Sequence, residues 1–372
     1  MNESNKIKIL LIIDSFNVGG AQRQFAALAK ELNNYYKVEI IAFHPHTSYL
    51  EDELNYLKIP IKRILKRSKY DIFFIIKLIQ YVSKLKYNLA ISFLDTPNFY
   101  NEVLKIVGVV PKIIVCQRSA YFKNKLTIRK KILEYLHFFA DVITSNSISQ
   151  VERIGDCFPF LIKKIFYVPN LYNFQNDYQL KKSQDNFRFI VVSNTHYYKN
   201  PFKLCEAIVV YKKKYGNINF SIDWYGNIST IKRDMDLLNN GIELLKEEGL
   251  EGIIHFRGVI KDIYSKIKDA DVLVHLSEFE GCPNSVCEAM FLKKPLLLSN
   301  VCDHPYLTSN RNGYLFNQTN PEDIAEKMYT MVNMKNCDLI AMGDLSKELI
   351  EDLMDRKMII NKWRQLIEKT VK

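Results

Sequence analysis

The regular alternation of short apolar segments with helix-like segments constrains the fold more than any other feature of this sequence. Lys8–Ile13 is an apolar run of strand length, and from about Ala21 apolar residues recur at helical spacing. The same pattern restarts at residues 187–193 and continues through the second half of the chain. Strands that alternate with helices indicate βαβ units and parallel sheets. We therefore expect an α/β protein built from two successive halves.

These segments predict two domains joined by a linker. The first half has predicted strands at residues 8–13, 38–42, 88–93, 112–116 and 140–144. The second half has predicted strands at residues 187–193, 218–225, 253–257, 272–275 and 296–299. The stretch 172–186 is polar, and residues 346–372 have a helical pattern. We predict domains at 1–170 and 187–350, a linker at 171–186 and a separate terminal helix at 351–372.

Composition and charge narrow the class of protein. The 372 residues are 48% hydrophobic and 25% charged, which is typical of a globular protein with two ordinary domains. The net charge of +11 favours a polyanionic partner, such as phosphate groups or an anionic membrane surface. Eight basic residues crowd one part of the first half: Lys105, Lys112, Arg118, Lys123, Lys125, Arg129, Lys130 and Lys131. This group predicts a membrane-facing or phosphate-facing patch, and the alternative is a solvated helix face.

Several sequence features predict where the protein resides and what it does not bind. The polar start lacks the apolar core of a signal peptide, and no apolar run is long enough to span a membrane. We expect a cytoplasmic protein, or one peripheral on the inner face of the plasma membrane. The seven cysteines are scattered without a C-x-x-C pair, which predicts reduced thiols and no metal site. His275 lies inside a predicted strand and is interpreted as core or cleft packing.

The segment SEFEGCPNSVCEAM, residues 277–290, is the strongest candidate site. It predicts a strand, a loop with Glu280, and a helix with Glu288, so seven residues separate the two carboxylates. Ser285 and Glu288 fit a capping box, which gives Glu288 an alternative, purely structural role, and the alternative for Glu280 taken alone is a solvated loop carboxylate. The loop lies outside the carboxyl end of a strand, where open α/β sheets bind ligands. The N-terminus of the following helix favours phosphate.

Two other loops are candidates for contact with a ligand. Gly19 and Gly20 follow the first strand, but the segment lacks the G-x-G-x-x-G spacing of dinucleotide-binding proteins, and a tight turn explains a lone Gly-Gly pair equally well. Lys199 precedes a predicted helix that begins with Asn200 as the cap and Pro201 at the first position. A lysine at a helix N-terminus favours phosphate binding, and the alternative is a solvated surface lysine.

These motifs together resemble those of retaining nucleotide-sugar glycosyltransferases of family 4. The string EGCPNSVCEAM is similar to the E-x7-E signature of the members that build bacterial capsule, O-antigen and exopolysaccharide. GGAQR, from Gly19, resembles the GGAER-like opening of many members, and VVSNTHYYKN resembles their phosphate-binding stretch. The resemblance implies the GT-B architecture, in which two Rossmann-like domains with parallel sheets face a cleft and the C-terminal helix crosses back to the N-terminal domain.

The resemblance also implies roles for individual residues. Glu280 and the following backbone amides would hold the donor sugar, Glu288 would accept hydrogen bonds from the ribose, and Lys199 would stabilise the departing diphosphate. Glu280 and Lys199 are thus the candidate catalytic residues. The implied donor-binding set is Gly19, Gly20, Lys199, Asn200, Gly258, Glu280, Gly281, Cys282, Pro283, Asn284, Ser285 and Glu288.

The sequence differs from the family pattern at two positions in segments that the resemblance places near the donor. Asn194 stands where many members have an arginine, so Arg118, Lys203 or Arg23 is a candidate second cation. A Cys-Asp pair replaces a Val-Gly-Gly stretch, and Asp303 is predicted either to line the base-side or acceptor-side wall or to cap a turn.

By this resemblance we expect a retaining, metal-independent hexosyl- or N-acetylhexosaminyltransferase of cell-surface polysaccharide synthesis. Its co-substrate would be a UDP- or GDP-linked sugar, with no further cofactor, and its acceptor a lipid-linked saccharide. The alternatives are a nucleotide-sugar epimerase of the same fold and a non-catalytic protein that binds nucleotide sugars. The missing G-x-G-x-x-G disfavours a nicotinamide-dependent oxidoreductase, and no sequence motif supports nucleic-acid binding.

Overall fold

The protein consists of two compact α/β units. A computed structural model describes residues 6–17, 19–45, 48–68, 71–118, 127–172, 186–309 and 311–372. Unit 1 comprises residues 1–173 together with 354–372, and unit 2 comprises residues 174–353. Most of the predicted linker at 171–186 lies outside the described residues. The predicted fold class, with two parallel-sheet Rossmann-like domains, is confirmed.

Unit 1 is built on a parallel sheet of seven strands in the order β3-β2-β1-β4-β5-β6-β7. The strands are β1 (Lys8–Ile13), β2 (Lys37–Ala42), β3 (Ile61–Arg63), β4 (Leu89–Phe93), β5 (Ile113–Gln117), β6 (Val142–Ser145) and β7 (Ile165–Tyr167). Helices connect them: α1 (Gly20–Asn33), α2 (Tyr49–Tyr56), α3 (Ile72–Ser83), α4 (Asp95–Ile106), α5 (Ile128–Leu136) and α6 (Ile148–Cys157). The central strands are mostly apolar because helices cover both faces of the sheet, and all five β1 residues after Lys8 are fully buried.

Unit 2 repeats this design with six parallel strands in the order β10-β9-β8-β11-β12-β13. The strands are β8 (Phe187–Val192), β9 (Phe220–Tyr225), β10 (Ile254–Gly258), β11 (Val272–His275), β12 (Leu296–Ser299) and β13 (Gly313–Phe316). The helices are α7 (Pro201–Tyr215), α8 (Lys232–Glu247), α9 (Ile263–Asp269), α10 (Asn284–Phe291), α11 (His304–Leu307), α12 (Pro321–Val332) and α13 (Asn336–Leu353). The strand order reverses between β8 and β11, and ligands bind at such a switch point in open α/β sheets.

The last helix returns to the first unit. Helix α14 (Arg356–Val371) belongs to unit 1, where Arg356 pairs with Glu31 of α1 and the guanidinium of Arg364 lies 4.5 Å from the ring centre of Tyr35. The predicted helical tail is interrupted at residues 354–355. The Asp355 side chain there accepts a hydrogen bond from the Met358 amide and starts a new helix.

Candidate functional site

The candidate site in unit 2 is centred on the loop between β11 and α10. Glu280 lies in this loop with a partly exposed side chain, and Glu288 lies in α10 with only 2% of its surface exposed. The predicted loop and helix positions of the two carboxylates are therefore found in the structure. The Tyr264 hydroxyl lies 3.5 Å from Glu288 Oε1 and donates towards it.

The predicted capping box at the start of this helix is wrong. Helix α10 begins at Asn284, with Pro283 in the cap position and no side-chain capping bond. Ser285 is therefore the second helical residue and Glu288 the fifth, so they do not have the positions that a capping box requires. Gly281 and Cys282 precede the helix, whose N-terminus follows the carboxyl end of β11 in the chain.

Lys199 is brought directly to this loop. It lies after β8, just before α7, and is 92% buried, since its exposed fraction is 8%. Its Nζ forms an ion pair with Glu280 Oε2 and donates to Ser277 Oγ at 3.1 Å. The prediction of a solvated surface lysine, the alternative considered for this residue, is therefore wrong. A cation and a carboxylate that share a partly enclosed site can bind both an anionic and a hydroxyl-rich part of one ligand.

Aromatic contacts and hydrogen bonds hold the Lys199 loop against the Glu280 loop. The rings of Tyr198 and Phe279 lie 4.8 Å apart, and the Glu278 amide donates to the Tyr198 carbonyl at 2.8 Å. Asn200 adopts a left-handed conformation with φ of 56° before Pro201. Its side chain does not cap α7 but donates to the Leu276 carbonyl at 3.0 Å. Asn200 therefore fixes the two loops relative to each other.

Buried histidines line the inner side of the site; His275 is packed there as expected, whereas His304 was not predicted from the sequence. His275 Nδ1 lies 3.1 Å from Ser277 Oγ, and the rings of His275 and His304 meet edge to face at 5.2 Å. His304 Nδ1 contacts the Ser299 carbonyl at 2.8 Å. Burial, with the nearby charge of Lys199, lowers the pKa of His275 well below its usual value. Burial likewise lowers the pKa of His304 to about 4, so both rings are neutral near pH 7.

Three cysteines also surround the loop. Cys282 and Cys287 have their sulfur atoms 3.5 Å apart, and the Glu280 amide donates to Cys302 Sγ at 3.5 Å. The hydrogen bond from Cys287 and burial raise the pKa of the Cys282 thiol well above its usual value. The Cys282 thiol is therefore a protonated packing group, as expected for a reduced, buried cysteine.

The remaining predicted residues of unit 2 lie at the same edge of the sheet. Asn194 follows β8, and its side chain accepts a hydrogen bond from the His196 amide at 3.4 Å. Gly258 ends β10 with a φ of 70°. Asp303 is buried immediately before α11 and makes no side-chain capping bond to that helix. Lys203, one candidate for a second cation, pairs with Glu206 at 2.8 Å on α7.

The predicted residues of unit 1 lie at the carboxyl ends of β1 and β5. Gly19 occupies the cap position of α1, and Gly20 is its first residue. The Arg118 guanidinium lies 4.5 Å from the ring centre of Phe93, and its Nη1 donates to Asn170 Oδ1 at 3.0 Å.

The predicted basic patch is only partly available for a partner. Lys105 pairs with Asp141 at 2.9 Å, and Lys130 pairs with Asp95 at 2.8 Å. Lys131 is exposed on α5. Lys123 and Lys125 lie outside the described residues, as does the side chain of Arg129.

A buried polar cluster next to Arg118 was also not predicted. Gln117 Nε2 donates to Glu134 Oε1 at 2.9 Å, and His137 Nδ1 contacts Glu102. Lys130 Nζ lies 3.3 Å from the same Glu134 oxygen. This cluster ties the end of β5 to α4 and α5.

Within the described ranges, no group of three or more His, Cys, Asp or Glu side chains is arranged to hold a metal ion. No helix among the described residues is long and apolar enough to cross a membrane.

A groove of about 710 Å³ runs along the face of β8, β9 and β10 and is lined by Arg188, Asp223, Tyr225, His255 and Arg257, among others. It contains none of the predicted site residues.

Comparison with known proteins identifies the class of unit 2 and the fold of the chain. Residues 174–350 match the family described as Glycosyl transferases group 1. The chain is 24% identical to a Campylobacter jejuni N-acetyl-D-galactosaminyltransferase named for a GalNAc-containing, undecaprenol-linked acceptor, over 97% of this chain and 98% of that protein. It is also 24% identical to the Staphylococcus aureus capsular polysaccharide biosynthesis glycosyltransferase CapH, over 79% and 82%. Anabaena HepE, solved with UDP and glucose, superposes with a TM-score of 0.82 at 15% identity, over 98% and 100% of the two chains.

Proposed function

Because residues 174–350 form a glycosyl transferases group 1 domain, we propose that this glycosyltransferase acts with retention of the anomeric configuration. It moves a hexosyl or N-acetylhexosaminyl group from a UDP- or GDP-linked donor to a lipid-linked saccharide during cell-surface polysaccharide synthesis. The observation that carries the proposal is the pairing of Lys199 with Glu280 beside the N-terminus of α10. In this proposal the pair supplies a cation for the diphosphate and a carboxylate that accepts hydrogen bonds from the sugar hydroxyls.

The donor lies, in this proposal, along the carboxyl edge of the unit 2 sheet. Lys199 and the first-turn amides of α10 bind the diphosphate, because both present positive charge at the same edge. Glu280 accepts hydrogen bonds from the sugar hydroxyls. Glu288 accepts hydrogen bonds from the ribose diol, a role that its buried contact with Tyr264 does not prevent, since a carboxylate accepts several hydrogen bonds.

Catalysis rests on stabilising the leaving group. As the bond between the anomeric carbon and the diphosphate oxygen breaks, negative charge grows on the diphosphate, and the Lys199 ammonium and α10 amides neutralise it. The acceptor hydroxyl attacks from the same face that the diphosphate leaves and gives its proton to the departing diphosphate oxygen, so the configuration is retained. Glu280 positions the sugar and forms no covalent bond to it. In this proposal the reaction does not use a metal ion held by protein side chains.

The proposed lipid-linked acceptor is supported by exposed residues of unit 1. Ile128, Ile132 and Phe138 are exposed on or next to α5, where Lys131 is exposed as well. Apolar side chains beside a lysine suit the boundary between acyl chains and anionic headgroups, where a lipid-linked saccharide is presented. The undecaprenol-linked acceptor named for the Campylobacter jejuni relative supports the same acceptor class.

The proposal is tested with purified protein, a panel of nucleotide sugars and a lipid-linked saccharide acceptor. We expect transfer with one donor and a raised melting temperature with that donor, because a ligand bound to the folded state stabilises it. Turnover of a nucleotide sugar without an acceptor would indicate the epimerase, and binding without turnover would indicate a binding protein. Absence of both binding and turnover across the panel would exclude the proposed function.

A substitution in α10 tests the role of Glu288. Glu288→Ala should raise the donor KM by roughly 10- to 100-fold, the effect of losing hydrogen bonds to a charged group. Glu278→Ala, in the preceding loop, is the matched control and should leave the KM unchanged. If Glu288→Ala lowers the melting temperature but the folded fraction retains the wild-type KM, the carboxylate has only a structural role.

A further inference from the structure

The Ser277 hydroxyl has three polar neighbours in unit 2. Lys199 Nζ lies 3.1 Å away, His275 Nδ1 lies 3.1 Å away and Glu280 Oε2 lies 3.2 Å away. Ser277 is fully buried and His275 is 2% exposed, so water does not compete for these contacts. A hydroxyl has one proton to donate and two lone pairs to accept with. Three neighbours therefore saturate it completely.

The chemistry of the neighbours fixes the direction of each hydrogen bond. The Lys199 ammonium can only donate, and the ionised Glu280 carboxylate can only accept. Ser277 therefore accepts from Lys199 and gives its single proton to Glu280. His275 Nδ1 must then carry a proton and donate to the remaining lone pair of Ser277. The neutral state of the buried imidazole leaves one proton on the ring, and this network places it on Nδ1.

From this network we infer that His275 and Ser277 are positioning residues that orient Glu280 for the donor sugar. The inference rests on the proposed function. Within the described part of the chain, Lys199 Nζ, Ser277 Oγ and, at 4.0 Å, His275 Nε2 all approach Oε2 of Glu280. In this inference Oε1 is therefore the oxygen that accepts from the donor sugar. If the Nδ1 proton were lost, Ser277 could turn its own proton towards His275, and Glu280 would lose one of the two donors that hold Oε2.

The backbone around the network is also held in place, so the side chains start from fixed positions. Ser299 Oγ donates to the Ser277 carbonyl at 2.7 Å, and Asn200 Nδ2 donates to the Leu276 carbonyl at 3.0 Å. His304 packs its ring edge to face against His275. A site supported in this way keeps its geometry before the ligand arrives.

Three substitutions of His275 separate the Nδ1 proton from the size and polarity of the ring. In His275→Asn an amide nitrogen replaces Nδ1, whereas in His275→Gln the amide reaches the Nε2 position, and His275→Leu has no donor. With the nucleotide sugar that the wild type accepts, we expect Leu and Gln to lower kcat/KM about tenfold and Asn to retain it within about threefold. His255→Leu, a half-buried histidine on β10, is the matched control and should match the wild type.

Binding of the free nucleoside diphosphate is the second readout. UDP or GDP lacks the transferred sugar that Glu280 positions, so we expect its affinity to stay within about twofold of wild type in all three variants, because Lys199 keeps its charge and position. Equal losses of UDP or GDP affinity and of kcat/KM would indicate a general collapse of the site and overturn the inference. Wild-type kcat/KM in His275→Leu, or equal values in Asn and Gln, would overturn it as well.

A variant of the serine keeps the test decisive if His275→Leu does not fold. Ser277→Ala should give the same tenfold loss of kcat/KM, and His275→Leu combined with Ser277→Ala should lose no more than either alone, because both changes break one chain of hydrogen bonds. Additive losses would contradict the network. A wild-type protein that transfers no sugar from any donor would instead refute the proposed function, which is a separate outcome.

Discussion

Lys199 is the side chain of the candidate site whose removal should affect binding and catalysis most, because it is both charged and buried. Its side chain is only 10% exposed, so solvent and salt screen its charge weakly. We expect Lys199→Met to weaken UDP or GDP binding by about 10- to 100-fold and to lower kcat by about 100-fold, because a charge-assisted contact to the diphosphate is lost. Calorimetric titration and initial-rate kinetics measure the two effects.

Two further variants control this experiment. Lys203→Met removes a more exposed lysine that pairs with Glu206 on α7, and it should leave both quantities unchanged. Lys199→Met also leaves Glu280 without its cation, and the double variant Lys199→Met/Glu280→Gln removes that unpaired charge. If the double variant regained wild-type affinity for the nucleoside diphosphate, Lys199 would be a partner of Glu280 and not a ligand of the diphosphate.

The buried imidazole of His304 predicts a dependence of stability on pH. Burial lowers its pKa in the folded state to about 4, from an ordinary value near 6.5. Between these values the unfolded chain binds a proton that the folded chain does not, so the free energy of unfolding falls as pH falls from about 6.5 to about 4. The loss attributable to His304 reaches about 3 kcal/mol at the lower end of this window.

His304→Asn tests this dependence, because its amide can still donate to the Ser299 carbonyl but does not titrate. Urea unfolding at pH 7, 6, 5 and 4 should show a shallower loss of stability in this variant than in the wild type. Glu280 and Asp303 also face the ring and favour its charged form, while Lys199 disfavours it. His255→Asn on β10 is the control for histidine removal, and identical slopes in the wild type and His304→Asn would contradict the prediction.

Among the structural elements, helix α10 shows what the local sequence could and could not predict. The turn-forming residues before it correctly predicted a loop with Glu280 and a helix with Glu288. They did not predict where the helix begins, because both Pro283 and Ser285 are acceptable residues near a helix start. Pro283 lies in an extended conformation at the cap, with φ of −72° and ψ of 123°, so helical structure begins at Asn284. The Ser-x-x-Glu pattern is therefore coincidental here.

The strands also show that local sequence patterns predict some elements, whereas others depend on contacts with residues distant in the sequence. Strand β12 has the predicted bounds, Leu296–Ser299, because it is a continuous apolar run. Strands β3 and β13 were not predicted. β3 has three residues and β13 has four, and both lie at sheet edges, where pairing with one neighbour defines them. The hydrogen-bond network of His275 and Ser277 was unpredictable for a related reason, since Lys199 reaches it from a loop about eighty residues away in sequence.

For the whole molecule, the sequence predicted two α/β domains, and each has its own sheet and its own buried core. The predicted return of the last helix to the N-terminal domain required the family resemblance, because an amphipathic pattern shows that a helix is buried but not against which surface. In the structure α14 contacts residues that follow or belong to α1, and Lys362 Nζ lies 5.5 Å from the ring centre of Tyr167 in β7. The stability of unit 1 should therefore depend on residues more than three hundred positions away from its first strand.

Trp363→Ala tests this dependence, because the indole is 1% exposed and is among the largest fully buried side chains of the chain. Its loss should lower the free energy of unfolding of unit 1 by about 3–5 kcal/mol, the usual cost of truncating a buried tryptophan. Met358→Ala, on the exposed side of α14, is the control and should change it by less than about 0.5 kcal/mol. Urea unfolding measures both values.

At urea concentrations below the transition, UDP or GDP binding to unit 2 should match the wild type, since Lys199, Glu280 and α10 all belong to unit 2. An equal loss of stability in both variants, or none in Trp363→Ala, would show that the core of unit 1 does not need this helix.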